Sequence, residues 1–133
     1  MKRKLAIQTA AIAAAAIAGV VTVSAPAQAA GTLRGSADVD NCHISLYTSL
    51  SGGHDYAFYV MVNGNTAPSA TCFGYLSVWN PVNGQVTRTQ FVNDLPIYGI
   101  ASTADQAVND SGVVSSACVG MNLDTAVRCT PGY

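Results

Sequence analysis

The stretch FGYLSVWNPVNGQVTRTQF, Phe73 to Phe91, decides the fold. It holds the chain's only Trp, Trp79, together with Phe73, Tyr75, Phe91 and one of the few arginines, Arg88. Phe73 to Trp79 is rich in aromatic and β-branched or aliphatic residues, as a strand is, and the segment Asn80-Pro81-Val82-Asn83-Gly84 that follows has the composition of a tight turn. Two strands joined in this way make a hairpin. A two-residue Asn83-Gly84 loop would leave Pro81 inside the ladder, where it has no N–H to donate. A four-residue loop avoids that and sets Trp79 opposite Val86; the other register sets Trp79 opposite Arg88. Both have the same parity, so the faces are the same in either. Phe73, Tyr75, Ser77 and Trp79 are expected to share a face with Val86, Arg88, Gln90 and Val92. Cys72, Leu76, Val78, Thr87, Thr89 and Phe91 fall on the other face. An odd-residue bulge would reverse whatever lies beyond it.

The same grammar extends in both directions. Ser51-Gly52-Gly53, Asn63-Gly64-Asn65, Asn93-Asp94, Asn109-Asp110-Ser111-Gly112 and Pro131-Gly132 are turn signals that divide runs rich in Val, Ile, Tyr, Phe and Thr. Short strands at such intervals predict an all-β fold, a small antiparallel β-sandwich of roughly seven strands. Tyr56 to Val62 is apolar at both parities, as a central strand covered on two sides would be. Ser102-Thr103-Ala104-Asp105 offers a capping-box start to one short helix ending near Val108, and Ala30 to Arg34 reads as a flexible lead-in.

The N-terminus reads as an export signal. Lys2, Arg3 and Lys4 precede an apolar run from Leu5 to Val23, and Ala27-Gln28-Ala29 is the small-x-small pattern of a cleavage site. Residues 1–29 are therefore expected to be a Sec-type signal peptide, and 30–133 one secreted β domain. Removing 29 of 133 residues leaves 104, with Arg34, Arg88 and Arg128 against seven Asp, no Lys and no Glu, a net charge of −4. That balance speaks against nucleic acid, whose phosphates require clustered cations, and against an anionic membrane surface. The scarcity of Lys beside abundant Ala, Gly, Val and Thr fits a bacterial extracellular protein from a GC-rich genome.

Four cysteines in an exported domain of this size predict two disulfides. Three pairings are open. In both Cys42–Tyr47 and Cys72–Trp79 the Cys lies in phase with aliphatic residues, which favours Cys42–Cys72 on the core side and leaves Cys118–Cys129 to close a short loop.

Chemistry is harder to read. No Cys or His spacing supports zinc, and Asp38-Val39-Asp40-Asn41 lacks the rest of a Ca²⁺ loop, so neither a metal nor any other cofactor is expected. His54-Asp55 after Ser51 suggests a Ser–His–Asp set, but neighbours on a strand point to opposite faces and there is no nucleophile elbow. A small hydrolase using His43 and His54 is thus one alternative. A protease or hydrolase inhibitor is another, presenting Met121 or Leu123 from a disulfide-held loop. The reading preferred for function is a binding protein whose Tyr75, Trp79, Arg88 and Gln90 contact a glycan or an extracellular protein. Against it stands the habit of single-Trp domains to bury that Trp. Burial of the Trp face is the expectation that the composition favours, with Arg88 snorkelling at its rim.

Overall fold

The computed structural model describes residues 31–104, 107–108 and 112–133; the expected leader lies outside them. The strands are β1 (Thr32–Val39), β2 (Cys42–Ser51), β3 (His54–Asn63), β4 (Cys72–Asn80), β5 (Gln85–Leu95), β6 (Ile100–Ser102), β7 (Ala107–Val108), β8 (Val114–Met121) and β9 (Val127–Cys129). They make two antiparallel sheets. The first runs β1-β2-β3, and the far side of β3 is shared by β6, against Val60–Val62, and β7, against Tyr56–Ala57. The second runs β5-β4-β8-β9. The all-β sandwich is present, with nine strands in eight positions because β6 and β7 together occupy one.

The turns follow their residues. Gly52 and Gly53 link β2 to β3 at φ 60° and 81°, where a Cβ is poorly tolerated. Pro81–Gly84 form the four-residue loop of the β4–β5 hairpin, so Asn80 faces Gln85 and Trp79 faces Val86. The β1–β2 link is only Asp40-Asn41, with Asp40 at φ 50°.

Alternation fills the space between the sheets. Ile44 and Leu46 on β2, Tyr59 and Met61 on β3, Leu76 on β4 and Ala117 and Val119 on β8 are fully buried there. Gly74 lets the sheets approach, since a Cβ there would sit 2.8 Å from the Met61 sulfur and 3.1 Å from the Cys118 carbonyl oxygen. Cys42–Cys72 joins the first residues of β2 and β4 across the sheets. Cys118–Cys129 joins register partners on β8 and β9. Both pairings are those favoured by the phase of the sequence.

At the disulfide end the core contains a fully buried amide. Asn63 lies opposite Cys42, and its Nδ2 donates to the carbonyls of Ala70 (2.9 Å) and Leu95 (2.8 Å). Its Oδ1 accepts from the backbone N–H (3.0 Å) and side-chain amide (2.9 Å) of Asn65.

Three local expectations are corrected. Register shifts in β5 place Gln90 and Phe91 together opposite Tyr75, and Asn93 and Asp94 together opposite Phe73. Gln90 and Asp94 take φ 55° and 54° to do so. The first bulge reverses the parity, so Phe91 joins the outer face and Val92 packs on the core. Thr32 to Arg34 are part of β1 rather than a lead-in. Among the described residues no helix forms near Ser102, which ends β6, while Ala107–Val108 is a strand.

Two measurements test this core. Asn63→Ala removes the donors to two buried carbonyls and the acceptor for Asn65, and is expected to cost about 3 kcal/mol in urea unfolding with disulfides intact. Burial pushes the Tyr59 hydroxyl from 10.0 up to about 12, with the Val92 N–H acting in the opposite sense. Because the folded value is raised, its stabilisation is complete below pH 10 and is lost as pH rises towards 12. In that window unfolding free energy should fall by about 1.4 kcal/mol per pH unit on account of this residue, and Tyr59→Phe should remove that part of the slope.

Candidate functional site

The β4–β5 hairpin carries the site. Its loop is tied down by Asn side chains: Asn80 Oδ1 accepts from the Val82 N–H (2.9 Å) and Asn83 Oδ1 from the Gln85 N–H (3.0 Å). The Asn83 amide donates to Gln85 Oε1 (3.2 Å). These Asx-type contacts hold the tip without help from the core.

Below the tip, one face of the second sheet carries three rows. Trp79 lies between Val86 on β5 and Val114 on β8; Ser77 lies between Arg88 and Ser116. Tyr75 lies between the Gln90–Phe91 bulge and Cys118. The first sheet packs on the opposite side; on this one Cys118 is buried and Phe73, Tyr75, Ser77 and Ser116 are half-buried, while the hairpin part is open. Trp79 is 44% exposed, Val86 and Phe91 57% each. The expectation that the Trp face is core is therefore overturned. A two-layer sandwich has a single interior, and Cys72, Leu76 and Val78 already occupy it.

The rings are arranged as a floor with a cation. Tyr75 and Phe91 lie 5.7 Å apart between centroids, tilted by 37°. The Arg88 guanidinium stands 5.1 Å from the Tyr75 centroid, a cation–π distance. No carboxylate among the described residues lies within ion-pair distance of Arg88. Phe73 lies over Gly120, where any Cβ would fall 2.2 Å from the ring. Trp79 and Tyr75 are four residues apart on one strand, about 13 Å, with the small Ser77 and Ser116 between them. Of the four expected contact residues, Tyr75, Trp79 and Arg88 share this face. Gln90 lies in the bulge opposite Tyr75, half-buried, its carbonyl accepting the Tyr59 hydroxyl across the core. Phe91 is the addition that strict alternation hid.

The hydrolase and inhibitor residues fare differently. His43 and the Ser51–His54 pair sit at opposite ends of β2, eight residues or about 26 Å apart, so the two histidines cannot act together. His43 has other company. Its Nδ1 is 2.6 Å from Asp38 Oδ1 and its Nε2 2.9 Å from Ser45 Oγ, which in turn is 2.9 Å from Ser36 Oγ. Asp38, Ser45 and Ser36 are not residues the sequence singles out as partners of His43. In the disulfide-closed loop, the Asp124 N–H bonds the Met121 carbonyl (3.1 Å), curling Met121–Asp124 into a turn with Leu123 at its tip. A protease cleft takes an extended segment, and this one is bent.

No group of three or more His, Cys, Asp or Glu among the described residues is placed to hold a metal. No protein family, curated protein or solved structure matches the chain.

Exposure of Trp79 is directly measurable. Its emission should be that of a solvated indole and be quenched by iodide in the folded protein. Trp79→Ala should change unfolding free energy by less than about 0.5 kcal/mol, the range of surface substitutions.

Proposed function

We propose that the protein works outside the cell as a binding module that contacts a glycan, or failing that an extracellular protein, through the Tyr75–Trp79–Arg88 face together with Gln90 and Phe91. The observation that carries this reading is the solvent exposure of Trp79 beside a guanidinium already stacked on Tyr75. Apolar rings left open on a rigid sheet lose little conformational freedom on binding, and they supply contact area. The amides of Asn80, Asn83 and Gln85 and the Arg88 guanidinium supply hydrogen bonds at the margins. Two rings spaced along one strand suit a ligand with repeated flat units, which favours a glycan over a globular partner. Two disulfides accord with an oxidising compartment. No helix among the described residues is long and apolar enough to cross a membrane.

The test is a glycan array probed with the chain from Ala30 onward, followed by calorimetry on the best ligand. Trp79→Ala is expected to retain its fold and lose about 30-fold in affinity, the loss of a Trp anchor. Equal binding by wild type and Trp79→Ala, or no glycan bound while an extracellular protein is, would reject the glycan reading.

A further inference from the structure

On the other side of the sandwich, β1 and β2 hold four polar side chains in one unbroken row. The two-residue turn sets Asp38 opposite His43 and Ser36 opposite Ser45. With the imidazole neutral and Asp38 ionised, the hydrogen bonds have one consistent direction. Asp38 as a carboxylate can only accept, so His43 Nδ1 carries the ring proton and donates it. Nε2 of the neutral ring is left as an acceptor, and Ser45 Oγ–H, at 2.9 Å, is its donor. With that proton committed, the Ser45 oxygen accepts from Ser36 Oγ–H, also at 2.9 Å. Carboxylate, imidazole and hydroxyl thus stand in the order in which a nucleophile is activated by a base and the base is oriented by an acid.

The accessible end of this row is Ser36. Ser45 is 7% exposed, whereas Ser36 is exposed and forms part of the wall of a cleft of about 460 Å³ between β1 and β9. Ala37, Asp38, Arg128 and Cys129 complete that wall, so among the described residues Arg128 is the cation that lines the cleft. A hydroxyl whose proton has a path to a base, beside a guanidinium in a concave site, is the equipment for acyl transfer.

The geometry points to a second activity: hydrolysis of small carboxylic esters in the β1–β9 cleft, with Ser36 as nucleophile. Ser36 Oγ adds to the ester carbonyl carbon. Its proton passes to Ser45 Oγ as the Ser45 proton passes to His43 Nε2, and the imidazolium so formed faces Asp38. Arg128 is the charge available to the oxyanion. Collapse breaks the bond to the alcohol oxygen, which leaves with the proton returned along the same path. Water then adds to the Ser36 ester, gives up its proton by that route, and the carboxylic acid departs with Ser36 restored. The sum is ester plus water to acid plus alcohol, and no redox partner is required.

The chain from Ala30 onward is treated with a fluorophosphonate, the adduct is located by tandem mass spectrometry, and p-nitrophenyl acetate hydrolysis is followed in parallel. An adduct on Ser36 is expected, with hydrolysis reduced about 100-fold in Ser36→Ala and in His43→Gln, the scale of a lost general base. Ser36→Ala lies at an exposed position, and far-UV circular dichroism with a urea unfolding curve reports whether each variant is folded. An adduct on Ser45, no adduct on Ser36, or hydrolysis unchanged in folded Ser36→Ala would overturn the proposal.

Discussion

The side chain of Asn63 is fully committed. Both amide protons go to main-chain carbonyls, of Ala70 and Leu95, and the oxygen takes two bonds from Asn65. It lies beside the Cys42–Cys72 bridge, where the chain leaves the first sheet and enters the second. A buried polar group with every bond made is a strong constraint, because any displacement leaves several groups unsatisfied at once. Here it holds the 64–71 connection against the end of β5 and so fixes where β4 begins. The phase of β4 follows from that start. A slip of one residue would bring Trp79, Tyr75 and Phe73 into the core and turn Leu76 and Cys72 outward. The exposed aromatic face thus depends on an amide at the far end of the strand, which none of its residues touches.

A second link crosses the sandwich at its middle. The Tyr59 hydroxyl donates to the Gln90 carbonyl, in the bulge where β5 departs from regular pairing with β4. A bulge leaves main-chain groups without a ladder partner, and a buried phenol is a suitable replacement. The same irregularity turns Phe91 from the core side to the outer face, against Tyr75. Core and surface are therefore joined through one residue.

The sandwich, the faces of β4 and both disulfides were legible because each depends on alternation and turn chemistry, and the Trp79–Val86 register is one of the two that the turn allowed. Alternation is blind to bulges. Gln90 is a residue that seldom takes positive φ, so nothing in its identity announces the first bulge, and it is this bulge that reverses the faces of Phe91 and Val92; Asp94 tolerates positive φ and lies in the Asn93-Asp94 turn signal. Burial of Trp79 was misjudged for another reason: β3, apolar at both parities, reads as a strand covered on two sides, whereas 104 residues in this topology build only two layers. The Asp38–His43–Ser45 row was hidden by its turn. In the sequence Asp38-Val39-Asp40-Asn41 stands out only as an incomplete Ca²⁺ loop, but Asp40-Asn41 as a two-residue hairpin loop pairs 38 with 43 and 36 with 45. Ser51, His54 and Asp55 are conspicuous by their proximity in sequence; the β2–β3 hairpin pairs Ser51 with His54 but turns Asp55 to the opposite face.

The bulges in β5 also bear on how the molecule coexists with its neighbours. β5 is an outer strand of its sheet, and such a strand presents a row of unused amide and carbonyl groups on which another chain can build. A long regular edge next to an apolar face would invite stacking of copies into fibrils. Two breaks within eleven residues interrupt that row twice, so a second strand can match it over only a few positions. The irregularity that adds a ring to the open face therefore also keeps that face from becoming a seed for aggregation.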